Sequence, residues 1–192
     1  LLSATFTAET FTTPNSNLLG IVTDDFNGDG NADVAVSTNN AFAAHVLLGN
    51  GNGTLGSAAT VGTSQNPADV FSIASGNLSG SPHPELVVSS FNSGAFRILA
   101  NNGSGAFSAA NGFAVSAAAV GIAVGDINGD GLNDVVTSRF NGSGISIGYG
   151  NGFGSLLTQQ FFSVASGPTD VELADFNGDG RLDIAVVNLV SN

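Results

Sequence analysis

Asp25-Phe26-Asn27-Gly28-Asp29-Gly30-Asn31-Ala32-Asp33 decides the fold, because this nine-residue pattern returns along the chain. Asp126 to Asp134 reads DINGDGLND, and Asp175 to Asp183 reads DFNGDGRLD. A degenerate copy, Asn77 to Glu85, reads NLSGSPHPE. The copies start at 25, 77, 126 and 175, so the steps are 52, 49 and 49 residues. Self-similarity at such a fixed period marks a repeat architecture.

The flanks repeat as well. A short apolar run precedes each window: 20–22, 70–73, 121–124 and 171–173. A second run follows it: 34–36, 86–88, 135–136 and 184–187. A third run (46–48, 96–99, 145–147) leads into a Gly/Asn turn at 49–53, 101–105 or 150–154. A fourth run closes the unit at 58–61, 107–115 and 161–164. The runs are short, rich in Val, Ile and Phe, and bounded by Gly, Asn and Pro, which is the pattern of strands. Asn-Gly turns supply the positive φ of tight hairpins. The rival helical stretch, 117–124, occupies a strand position in the repeat.

The unit is therefore four strands in about 50 residues, too small to bury its own faces, so units must stack. The expected fold is all-β: β-propeller-type repeats of four-stranded antiparallel blades. An elongated array of small all-β modules is the alternative. The expected organisation is one repeat domain over 1–192. It comprises a lone strand at 1–13, complete blades at 14–66, 67–117 and 118–167, and a partial blade at 168–192.

Composition narrows the chemistry. The 192 residues carry 15 acids against 3 Arg, no Lys and no Cys, for a net charge of −12. Binding to a nucleic-acid backbone is opposed by the chain's own field. Without Cys there is no disulfide scaffold, thiol nucleophile, Cys zinc site or iron–sulfur cluster. Without Lys there is no Schiff base or P-loop lysine. No run approaches the length of a membrane helix. The opening is not an intact signal peptide, and a Leu start without any Met is expected of a processed or truncated product.

Ten of the 15 acids lie in the four windows. In each intact loop, oxygen side chains fall at positions 1, 3, 5 and 9, and position 7 offers its backbone carbonyl. Gly at position 6 permits the sharp turn. The arrangement resembles the first half of an EF-hand loop, with the last acid at 9 rather than 12 and strands in place of helices. Three converging carboxylates repel one another unless a cation joins them. Oxygen donors suit Ca²⁺ better than Mg²⁺, and the loops hold no Cys or His for zinc or copper. The degenerate loop keeps Asn77, Ser79, Ser81 and Glu85 at positions 1, 3, 5 and 9, with one carboxylate, and is expected to hold metal weakly or not at all. Pro82 and Pro84 are expected to hold its turn, and His83 reads as a surface turn residue.

On these D-[FI]-N-G-D-G-x-x-D loops, the strands after them and the Gly-Asn-Gly turns, the sequence resembles the FG-GAP/VCBS repeat family, the integrin-α-like calcium-binding propeller blades. The resemblance covers nearly the whole chain. It implies about three Ca²⁺ per chain, each between the first two strands of a blade. By position, the implied ligands are Asp25, Asn27, Asp29, Asn31 (carbonyl) and Asp33 in the first loop. They are Asp126, Asn128, Asp130, Leu132 (carbonyl) and Asp134 in the next. In the last they are Asp175, Asn177, Asp179, Arg181 (carbonyl) and Asp183. Full rings of the family commonly carry more blades than this chain supplies. Either the chain is a fragment or another chain closes the ring, and an incomplete edge is a pairing site, so self-association is expected.

The functional expectation is an extracellular or cell-surface, calcium-stabilised module for binding, adhesion or self-assembly. Its ligand would be a glycan or a protein. One alternative is a structural subunit of a surface filament or layer. Another is a carbohydrate-binding, lectin-like propeller. Catalysis is not expected: the only two His, His45 and His83, stand in no nucleophile constellation. Most Phe are expected in the core, Phe26 and Phe176 included. Phe140, Phe153 and Tyr149 are the aromatics to examine on the surface. Asn52, Asn77, Asn102 and Asn141 open N-x-[ST] sequons, which chance also explains in so Asn- and Ser-rich a chain.

Overall fold

A computed structural model describes residues 10–14, 17–39, 43–62 and 70–189. Strands β1 (Leu18–Asp24), β2 (Asp33–Thr38), β3 (Ala43–Leu47) and β4 (Ala59–Gly62) form the first sheet. The second is β5 (Val70–Gly76), β6 (Glu85–Ser90), β7 (Ala95–Asn101) and β8 (Phe107–Ala114). The third is β9 (Ala119–Gly125), β10 (Asp134–Arg139), β11 (Gly144–Gly150) and β12 (Leu156–Ser163). Strands β13 (Pro168–Ala174) and β14 (Asp183–Asn188) make a two-stranded fourth. Every pairing is antiparallel between chain neighbours. One 3-10 turn, Phe140–Gly142, is the sole helical element among the described residues.

The first strands of successive sheets pack together: β1 on β5, β5 on β9, β9 on β13. The outer strands meet less, so the sheets fan outward from a common inner edge, as propeller blades do. The strand expected over 1–13 lies largely outside the described residues, and 10–13 carry none. The last strand of the third blade begins at Leu156, before the apolar run at 161.

The core lies between blades. Phe26, Val46 and Val61 of the first blade pack with Ile73, Leu86 and Leu99 of the second. Leu78, Phe96 and Ile98 of the second pack with Val115, Ile122 and Val135 of the third. Val136, Ile145 and Ile147 of the third meet Val171 of the fourth. Each such side chain contributes ~1.5–3 kcal/mol when fully buried, so a blade draws its stability from its neighbours. This explains why β2, β6 and β10 are buried along both faces rather than alternating. Phe176, expected in the core like Phe26, is instead 63% exposed. Phe26 is buried because Phe107 of the next blade meets its ring edge-on at 5.5 Å, and no described strand follows the fourth sheet to do the same.

Each first strand also carries an irregularity near its start, between Leu18 and Ile21 and between Val70 and Ile73. A bulge frees a backbone amide from the ladder. A serine of the second strand receives it: Gly20 N–H donates to Ser37 Oγ at 2.8 Å, Ser72 N–H to Ser89 Oγ at 3.0 Å, and Gly121 N–H to Ser138 Oγ at 2.8 Å.

Candidate metal centre

Each intact loop joins the first and second strands of a blade, and the three have nearly the same geometry. In the first, the Asp25 carboxylate accepts from the amides of Gly28 at 2.7 Å, Asp29 at 3.2 Å and Gly30 at 2.8 Å. Asp126 accepts from Gly129, Asp130 and Gly131 at 2.7, 3.2 and 2.8 Å. Asp175 accepts from Gly178, Asp179 and Gly180 at 2.6, 3.2 and 2.8 Å. Gly28 and Gly30, at φ of 74° and 84°, supply the left-handed turns that aim these amides inward. The position-3 carboxamide is fixed too: Asn27 Nδ2 donates to Asp29 Oδ2 at 3.0 Å, and its Oδ1 accepts the Asp29 amide at 3.0 Å.

These bonds favour the ionised carboxylates. The Asn31 amide holds the Asp29 carboxyl below its ordinary value. The amides of Gly131 and Gly180 do the same, first among several, for Asp126 and Asp175. Asp134 moves the other way. Its burial raises it, the amides of Gly150 and Ile127 pull against that, and the charges of Asp130 and Asp126 push it further up. Like charges thus crowd the loop.

The position-9 acid does more than add charge. Asp33 is fully buried and accepts the Phe26 amide at 2.8 Å and the Gly49 amide at 2.7 Å. Asp134 repeats the clasp with Ile127 at 3.1 Å and Gly150 at 2.9 Å. Each ties its loop to the third strand's end, where a Cβ on Gly49 or Gly150 would strike a carbonyl oxygen at 2.2 or 2.1 Å. Among the described residues Asp183 keeps the first half, a 3.1 Å bond from the Phe176 amide. Among the described residues no group of three His, Asp or Glu side chains converges as a metal cage. Two carboxylates, a carboxamide oxygen and the position-7 carbonyl of Asn31, Leu132 or Arg181 remain in each loop. That all-oxygen set is the chemistry of a hard cation that retains water.

The degenerate loop holds itself. Glu85, 2% exposed, accepts the amides of Leu78 at 2.8 Å and Ser79 at 3.3 Å, with the Ser79 hydroxyl close on its other oxygen. Ser81 Oγ donates to the His83 carbonyl at 2.9 Å, so the position-7 carbonyl is already satisfied. These side-chain bonds hold the turn. His83 is half-buried: a Cβ on Gly28 of the first loop would meet its ring at 2.6 Å. Where the other blades have Gly49 and Gly150, the second has Asn101, whose Nδ2 donates to the carbonyls of Phe26 and Pro84, both at 2.9 Å.

Among the aromatics singled out in the sequence, Phe153 is 86% exposed on its turn, while Tyr149 and Phe140 are half-buried. The clasping role of position 9, the bulge-filling serines and Asn101 were not anticipated from the sequence.

A family model described as FG-GAP-like repeat matches residues 25–88, 77–137 and 127–186. None of the curated proteins compared matches the chain. Among solved structures, an Agrocybe aegerita lectin, described as specifically recognising non-reducing terminal N-acetylglucosamine, is similar with a TM-score of 0.62 and 19% identity over 85% of this chain. The match spans 45% of that lectin, so this chain corresponds to about half its length. The V. cholerae biofilm matrix protein Bap1 is similar with a TM-score of 0.48 and 20% identity, over 90% of this chain and 28% of Bap1.

Proposed function

The chain belongs to the FG-GAP-like repeat family, and from that premise we propose that it is a calcium-stabilised propeller module outside the cell or on its surface. It binds or adheres and does not catalyse. The observation that carries this reading is the threefold repetition of one loop geometry, acid oxygens and carboxamide held in place by inward amides. Asp25, Asn27, Asp29 and the Asn31 carbonyl would hold the first ion. Asp126, Asn128, Asp130 and the Leu132 carbonyl would hold the second, and Asp175, Asn177, Asp179 and the Arg181 carbonyl the third. Asp33, Asp134 and Asp183 would add negative charge while shaping the loops. The ion supplies charge compensation and cross-links the strands on either side of the loop.

Native mass spectrometry with Ca²⁺ and then with chelator tests this. Three ions per chain, lost to chelator, are expected. A calcium-free mass at millimolar Ca²⁺ overturns the reading.

A second reading, self-assembly, is favoured by exposed apolar side chains on the first and last sheets and their flanking residues. Leu18, Leu19 and Ile21 stand out from the first blade, and Phe176, Val187 and Leu189 from the last. The N-acetylglucosamine recognition described for the lectin of similar fold supports a glycan as ligand on the binding reading.

A further inference from the structure

The loops of the metal centre occupy one end of the blades. The other end carries the turns between second and third strands and the connections between blades. There, Phe91-Asn92 and Phe140-Asn141 stand 14 and 15 residues after the start of their own windows, the same dipeptide in two successive repeats. A cleft of about 320 Å³ opens between these blades, lined by Phe91, Asn92 and Ser93 of one turn, Ser116 of the connection and Asn141 of the other turn.

Its walls are fixed in place. The Val115 amide donates to the Gly94 carbonyl at 2.8 Å, and the Phe140 amide to the Ala118 carbonyl at 2.9 Å. Arg139 Nε donates to the Val115 carbonyl at 2.8 Å. Gly94, at φ 59°, lies so close to the connection that a Cβ would meet the Ala117 carbonyl oxygen at 2.9 Å. Ser116 holds φ 55° although it is not glycine, a cost of the kind that collects at binding sites. The Phe91 ring has tilted aromatic neighbours in Phe71 at 6.0 Å and Phe140 at 5.9 Å.

No charged side chain lines the cleft, and the chain's net charge of −12 disfavours an anion. The lining offers an aromatic ring, two carboxamides and two hydroxyls. Hydroxyls that need paired donors and acceptors, on a body with one C–H face for the ring, describe a sugar. The volume sits at the small end of ligand pockets, enough for one ring. The geometry points to a binding site for a single neutral pyranose, the terminal residue of an uncharged glycan, with Phe91 under its C–H face and Asn92 and Asn141 on its hydroxyls. This rests on the binding reading above and gives it a ligand class and a location away from the calcium loops.

Saturation-transfer NMR against methyl glycosides of glucose, galactose, mannose, fucose and N-acetylglucosamine, with glucuronate as the charged control, tests it on the full chain. At least one neutral glycoside should bind, and glucuronate should not. Phe91→Ala and Asn141→Ala should each weaken binding about tenfold or more, equivalent to ~1.4 kcal/mol. Asn141 is exposed, so its variant keeps the fold even where Phe91→Ala does not. Absence of binding by every neutral glycoside, or binding that Asn141→Ala leaves unchanged, overturns the site. Calcium binding is read separately in the same sample. A chain that takes three ions but no sugar loses only this proposal, and one that binds sugar without calcium loses only the metal reading.

Discussion

The Ser89 hydroxyl donates to the Val120 carbonyl at 2.6 Å, from the second blade to the third, while it accepts the Ser72 amide freed by the bulge in β5. One buried atom thus completes its own sheet and bonds to the next. Ser37 makes the same bridge to the Phe71 carbonyl at a longer 3.4 Å. Ser89→Ala leaves a buried acceptor, the Val120 carbonyl, and a partly buried donor, the Ser72 amide, unmatched, a loss of ~1–3 kcal/mol for the buried group. In a chain of this size, each kcal/mol lowers Tm by roughly 2–4 °C. Thermal melts of Ser89→Ala beside the exposed control Ser93→Ala measure it. Equal melting of the two would mean the bridge contributes nothing.

The clasp predicts a graded series. Asp134→Ala strands the buried amide of Gly150 and the partly buried amide of Ile127, and bonds to a charged acceptor are worth ~1.5–3 kcal/mol each. Denaturant unfolding should show a loss of roughly 3 kcal/mol or more. Asp134→Asn keeps one acceptor oxygen and should lose about half. Asp183→Ala removes a half-exposed group with one amide partner and should cost least. An Asp183 variant as damaging as the Asp134 variant would show that position 9 acts by something other than the clasp.

The repeat, the strands and the position of the acid-rich loops were legible because each leaves a local signature: a fixed period, recurring turn residues, clustered acids. The clasp was not, because an acid at position 9 looks the same in the sequence whether or not it also holds two amides. What reveals it is a contact to Gly49 or Gly150, 16 residues downstream. A trace existed in the sequence: glycine recurs there in both blades with an aspartate clasp, and Asn101 replaces it where Glu85 replaces aspartate. The serines at 37, 89 and 138 also recur at one place in the repeat. Within an apolar strand, a single serine reads as an ordinary interruption unless the bulge opposite it is known. The exposure of Phe176 depends on a neighbouring blade, which no local pattern encodes.

His45 gives the fold a pH dependence of known sign. Its ring is buried on β3, with Nδ1 at 3.1 Å from Thr60 Oγ1, and burial lowers its pKa. The unfolded chain's imidazole titrates at the ordinary value, near ~6.5. Between the lowered folded value and that point, the unfolded state binds more protons. This contribution to stability is therefore full above the unfolded value and declines as pH falls toward the folded one, where the decline stops. Unfolding free energies at pH 7.5 and at pH 5 should differ in favour of the higher pH, and His45→Gln should shrink that difference. An unchanged difference in the variant would assign the dependence to the carboxylates instead.

Calcium should act on stability through each loop separately. Binding to the folded chain alone adds RT ln(1 + [L]/Kd), about 1.4 kcal/mol per site at a free ion concentration ten times Kd. Extracellular calcium modules bind at about 10⁻⁴–10⁻³ M, so millimolar Ca²⁺ should raise Tm by several degrees, and chelator should reverse it. Asp29→Ala, Asp130→Ala and Asp179→Ala each remove an exposed position-5 carboxylate and leave the clasps intact. Each should lose one ion and about a third of the calcium-dependent rise, with little change in the calcium-free Tm. Ser81 stands at position 5 of the degenerate loop, bonded to the carbonyl of His83, and Ser81→Ala should leave the ion count unchanged. If a single position-5 variant abolished all calcium response, the loops would be coupled across blades, as the packing of His83 against Gly28 permits, rather than independent.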